Sequence, residues 1–146
     1  MANQALKGLD CRDDVELSIL LTDNHGIHKL NRRYLKKDKP TDVLSFPMWE
    51  IPLSVASEYP PPVPLQRGIK GEDAYCSRVL LGDVVISVET AKAQAKENAV
   101  TLDQEMARLL IHGILHLLGF DHERGRKEAL RMKKEEERLL DRVKSQ

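Results

Sequence analysis

Residues 112–122 read HGILHLLGFDH and hold three of the five histidines in the chain. His112 and His116 are four residues apart. On an α-helix of about 3.6 residues per turn, that interval puts both imidazoles on one face, one turn apart. Gly119 comes three residues after His116. Glycine tolerates the left-handed conformation that ends helices, so the chain is expected to reverse there and carry His122 towards the other two rings. Three converging imidazoles suit a zinc-like ion with a fourth position left open. Neutral ligands leave the ion its charge, which lowers the pKa of water at the open position from about 15.7 towards 7; hydrolysis is therefore the expected chemistry.

The histidine and glycine intervals are those of the metzincin proteases, H-E-x-x-H-x-x-G-x-x-H. The residue after the first histidine differs: Gly113 stands where those enzymes carry a glutamate as general base. The metal cradle is present and the proteolytic base is not. Gly113, being small, is expected to leave room above the metal for a bulky substrate. Asp121, beside His122, is the nearest carboxylate in sequence. It would orient a ligand imidazole or relay a proton, or else cap the turn after Gly119.

The ligands need a rigid support. Thr101 with Gln104 three residues on forms a capping-box start. Met106, Leu109, Leu110, Ile114, Leu117 and Leu118 then give an apolar face to a helix that also carries His112 and His116. A helix held in the core keeps its backbone still and its ligand geometry fixed. Upstream, Val15–Leu21, Thr41–Phe46 and Val79–Ser87 have strand composition, with Gly82 as a bulge or close-approach point. Helical spacing runs over residues 26–35 and 88–99. The opening residues 1–14 are short and polar, the tail of a helix at most. Residues 123–143 predict a surface helix packed by a thin stripe of Leu130, Met132, Leu139, Leu140 and Val143, with Glu135, Glu136 and Glu137 in solvent. Residues 50–78, with five prolines, read as a long exposed loop. The order of elements predicts an α+β fold: a small mixed sheet of three or four strands packed with helices, in a single domain spanning 1–146.

Arg32, Arg33, Lys36, Lys37 and Lys39 form the densest positive run. Such a run is either a solvated helix end or, beside a metal cleft, a grip on phosphates. His25 and His28 are read as loop and helix-start residues. Lys plus Arg equals Asp plus Glu at 23 each, so any polyanion must be bound by a local patch. Hydrophobic residues make up 41% of the chain, enough for one core, and charged residues 32%. The apolar runs are too short for a membrane span, and the N-terminus lacks the layout of a secretory signal. Cys11 and Cys76 match no metal-pair or redox spacing. Free thiols in a reducing cytoplasm are expected.

Three blocks, LNRRYLKKDKPTDVLSFP (30–47), LLGDVVIS (80–87) and HGILHLLGFDH (112–122), closely resemble the YbeY-type endoribonucleases. The resemblance runs from about Val15 through the last helix and is interrupted by the proline-rich stretch. It implies one zinc ion on His112, His116 and His122, and cleavage of single-stranded RNA. It further implies a role on the ribosomal small subunit, in maturing the 3′ end of its rRNA and in ribosome quality control. A mixed sheet whose edge walls a cleft above the metal is implied as well. The family usually carries an arginine directly after the aromatic that matches Tyr34, where this chain has Leu35. Its proline-rich loop is longer than usual, and the family's opening strand is not evident. The competing readings are a metalloprotease-like hydrolase, and a non-catalytic ribosome-assembly factor with a structural zinc.

Overall fold

The structure, a computed structural model, describes residues 1–8, 15–48, 79–120 and 125–145. Its elements are α1 (Ala2–Gly8), β1 (Val15–Thr22), α2 (Asn24–Leu35), β2 (Val43–Pro47), β3 (Val79–Ser87), α3 (Val88–Glu97), α4 (Leu102–Leu117) and α5 (Arg126–Lys144). The expected 50–78 loop lies outside the described residues.

Three strands form a sheet in the order β1-β3-β2. β1 runs parallel to β3, while β2 is antiparallel to it, so the sheet is mixed. The central strand β3 is the most apolar, as a strand covered on both faces must be. Leu81, Val84, Val85 and Ile86 are all buried. Gly82 is the close-approach point expected of it: φ is +144°, and a Cβ there would lie 2.2 Å from the carbonyl oxygen of Phe46. The register against β1 shifts at the same place. β1 leaves Ile19, Leu20 and Leu21 exposed.

One sheet face packs on α2 through Ile27, Leu44 and Val85. The other carries Val84 and Ile86 into the main core with Leu109, Ile114, Leu115 and Leu117 of α4. Residues of that size contribute roughly 1.5–3 kcal/mol each on full burial. α4 thus lies in the middle of the molecule, between the sheet and α5. Its start is the expected capping box, with Thr101 and Gln104 bonding reciprocally.

Two differences from the sequence reading bear on the packing, one at the start of α2 and one on α5. α2 begins two residues earlier than position 26, because the Asp23 carboxylate accepts from the Gly26 N–H at 2.7 Å and caps the helix. Parallel β1 and β3 then start α2 and α3 at one end of the sheet. There Asn24 Oδ1 accepts from the hydroxyls of Ser87 (2.5 Å) and Thr90 (2.6 Å). On α5 the expected stripe holds at Met132 and Leu139, which are buried, but Leu130 is 61% exposed. α1 docks on the same helix: Arg138 donates to the Gly8 carbonyl at 2.9 Å, and Ala5 is fully buried.

Candidate metal centre and cleft

His112 and His116 project from one face of α4, as their spacing predicts. Their Nε2 atoms face each other at 3.1 Å and the rings meet edge-on at 71°. Two nitrogens on a tetrahedral zinc, each at about 2.0–2.1 Å, are separated by about 3.3 Å, so the pair fits two corners of such an ion. The helix ends where expected. Gly119 takes φ +93°, its N–H bonds the His116 carbonyl, and the Phe120 N–H bonds the Leu115 carbonyl, both at 3.0 Å. That is the Schellman pattern, and it satisfies two of the helix's last free carbonyls. Phe120 is buried beyond it and anchors the reversal. Asp121 and His122 follow, outside the described residues. Among the described residues no group of three or more potential ligands assembles.

Behind His112, the Nδ1 atom bonds the carboxylate of Glu136 from α5. This corrects the expectation that Glu135, Glu136 and Glu137 are all solvated. The Glu136 side chain is only 17% exposed, and that of Glu135, paired with Arg138, is 14% exposed. The signal was present in the spacing. Glu136 stands four residues after Met132 and three before Leu139, on the buried stripe of α5. A run of three glutamates reads as solvent-facing only until each is placed on its helix face.

The histidines open into a cavity of about 620 Å³. One wall is β2 and its approach, Thr41 to Ser45 with Pro47, and the rim carries Leu35, Lys37 and Lys39. The basic run is therefore divided. Lys37 and Lys39 line the cavity, while Arg33 lies over the Tyr34 ring at 5.4 Å. Lys36 caps α2 in the left-handed conformation, and its Nζ donates to the Arg33 carbonyl. Arg32 sits near Asp38, whose carboxyl is held below the usual value of 3.8 by its bond to His28 and then by Arg32. His28 is thus a clasp on the lysine loop, reaching Asp38 at 2.7 Å.

Sequence reasoning missed two positioning residues here. Asn31 is buried and clamps the loop twice: its side chain donates to the Lys39 carbonyl at 2.8 Å, and its own carbonyl accepts from the Lys37 N–H at 3.2 Å. Asp42 lines the cavity, and its carboxylate accepts from the Val43 N–H and from Gln94 of α3. A lone polar residue on a helix face and a carboxylate before a strand were the only traces of them in sequence.

Gly113 does not serve as open space above the histidines. It faces the sheet, where a Cβ would lie 2.7 Å from Val84 Cγ1 and 3.2 Å from Ser45 Oγ. Val84 is fully buried and has no room to retreat. No side chain fits this position without moving the sheet, so the glutamate of a metzincin has no place here.

The chain has matches among known proteins. A family model described as Endoribonuclease YbeY matches residues 1–144. Endoribonuclease YbeY of Myxococcus xanthus is 52% identical over 126 residues, covering 86% of this chain but 36% of that longer protein. That of Aquifex aeolicus is 44% identical over 131 residues, covering 90% of this chain and 72% of its own. That of Syntrophotalea carbinolica is 40% identical over 147 residues, covering 100% and 84% respectively. The solution structure of TM1509 from Thermotoga maritima is 26% identical, with a TM-score of 0.57 over 97% of this chain and 74% of that one.

Proposed function

The chain belongs to the YbeY endoribonuclease family, and on that premise we propose that it is a zinc-dependent endoribonuclease of single-stranded RNA, acting in 3′-end maturation of small-subunit rRNA and in ribosome quality control. The observation that carries the reading is the facing Nε2 pair of His112 and His116 at the head of a cavity rimmed by Lys37 and Lys39. His122 completes the proposed ligand set, with Asp121 beside it as an orienting or proton-relaying carboxylate. One domain, residues 1–146, carries the activity. A cytoplasmic location fits the substrate. No helix among the described residues is long and apolar enough to cross a membrane.

When bound, zinc supplies Lewis acidity towards the charge that builds on a phosphodiester under attack. The chain's own residues bind and place that phosphodiester. Lys37 and Lys39 hold successive phosphates at the rim, where the Asn31 clamp fixes the backbone that carries them. Arg33 and the 55% exposed ring of Tyr34, which packs edge-on against Phe46, offer stacking surface to unpaired bases. A duplex hides its base faces, so such a platform favours single strands. Leu35, Val43 and Pro47 line the cavity with apolar surface and keep bulk water from the reacting phosphate.

The test uses the full chain reconstituted with zinc and an end-labelled RNA, either single-stranded or annealed. The expected result is endonucleolytic cutting of the single strand alone, abolished by chelator, restored by zinc, and absent in His116→Ala. RNA that is bound but intact under every condition would replace the enzyme with an assembly factor. Cutting of denatured protein but not RNA would revive the peptidase, against the packing at Gly113.

A further inference from the structure

We propose that Glu136 is a positioning residue of the metal centre: its carboxylate holds the proton of His112 on Nδ1, leaves the Nε2 lone pair aimed at the point His116 also faces, and so ties the docking of α5 to metal occupancy. This rests on the reading of His112 and His116 as a ligand pair.

A neutral imidazole donates from one nitrogen and accepts at the other, and only the nitrogen without the proton binds a metal. The Glu136 carboxylate, an acceptor, sits on Nδ1 of His112. The proton therefore belongs on Nδ1, and Nε2 is the nitrogen that carries the lone pair. That is the atom that faces His116 Nε2 at 3.1 Å. Losing such a partner of a ligand imidazole typically weakens metal affinity by about 10–100-fold.

The carboxylate is held rather than visiting. Met132 and Leu139, one turn to either side of it, are buried in the core and fix that face of α5 against α4. Arg108, one turn before His112, lies close enough to feel the charge of Glu136. Arg108 is engaged elsewhere. Its Nε and Nη2 both bond Glu105 Oε1, at 3.0 and 2.5 Å, and Nη2 also reaches Gln94. Glu105 is 2% exposed, so this pairing is internal and leaves the Glu136 carboxylate to His112.

Since Glu136 belongs to α5 and His112 to α4, binding an ion in front of His112 stabilises the arrangement in which α5 is docked. Removing the carboxylate uncouples the two.

The test measures binding without RNA. Zinc affinity of the apo full chain is read by competition with a chromophoric chelator, for the native protein, Glu136→Ala and Glu136→Gln. Cobalt(II) alone serves as a spectroscopic probe, and amide hydrogen exchange of α5 is followed with and without zinc. Glu136→Gln keeps size and one acceptor oxygen, so it reports even if the alanine variant folds poorly. The expected result is about 10–100-fold weaker zinc in Glu136→Ala, a smaller loss in Glu136→Gln, and an altered cobalt spectrum in both. Zinc should slow exchange in α5 of the native chain and do so far less in Glu136→Ala. Equal zinc affinity in all three proteins overturns the positioning role and leaves the metal centre standing. A native chain that holds no zinc overturns both.

Discussion

Ser45 donates a 2.9 Å hydrogen bond to the carbonyl of Gly113, joining the edge strand to the helix that carries the histidines. The contact exists because residue 113 has no side chain. We predict that Gly113→Ala destabilises the fold despite alanine's better helix propensity. The propensity gain is about 1 kcal/mol, and forcing a methyl against Val84 costs roughly 1–3 kcal/mol. The net loss should be up to about 2 kcal/mol, read from urea unfolding at constant slope. A midpoint that rises instead would show that β3 and α4 are free to part.

Lys37 and Lys39 should each contribute one phosphate contact. For single strands, each neutralised phosphate adds about 0.7 to the slope of log affinity against log salt. Lys37→Ala with Lys39→Ala should therefore flatten that slope by about 1.4. Leu35→Arg, which restores a cation to the cavity rim, should steepen it by about 0.7. Slopes unchanged in both variants would remove the rim from RNA binding.

The clasp between His28 and Asp38 has a pH signature. Its folded carboxyl titrates below the usual 3.8, so the contact contributes fully above that value. The contribution starts to fall as pH drops past 3.8 and is gone below the lowered folded value. Carboxyl NMR should show the Asp38 midpoint moving up towards 3.8 in His28→Ala. A midpoint that stays put would assign the depression to Arg32 alone.

Asn24 gathers two hydroxyls, and Ser87, which supplies one, is fully buried. Asn24→Ala leaves that hydroxyl without its acceptor, at a cost of roughly 1–3 kcal/mol. Thermal unfolding should register it, and Asn24→Asp, which keeps an acceptor, should recover most of the loss.

Much of this arrangement is legible in the chain. Histidines four apart share a helix face whatever surrounds them, Gly119 is free to take the positive φ that stops the helix, and Thr101 with Gln104 starts it. These are local rules. What does not show in sequence is which neighbour arrives at a given face. Glu136 looks like one of three solvent-facing acids until α5 is laid against α4. Gly113 looks like room for a substrate until β3 is laid against the same helix. The basic run reads as one patch because adjacent residues are close along the chain. The left-handed turn at Lys36 separates Lys37 and Lys39 from Arg32 and Arg33. Asp121 and His122 were assigned by spacing, and their placement lies beyond the described residues.

The late position of α5 gives the centre a timetable. A ribosome delivers the lysine loop and β2 first, then the two histidines, and Glu136 after all of them. Until α5 has left the exit tunnel and settled on α4, His112 lacks the Glu136 carboxylate on its Nδ1. On the proposed reading, a nascent chain therefore passes the particle whose RNA the finished protein would cut before the proposed centre has its Glu136 contact.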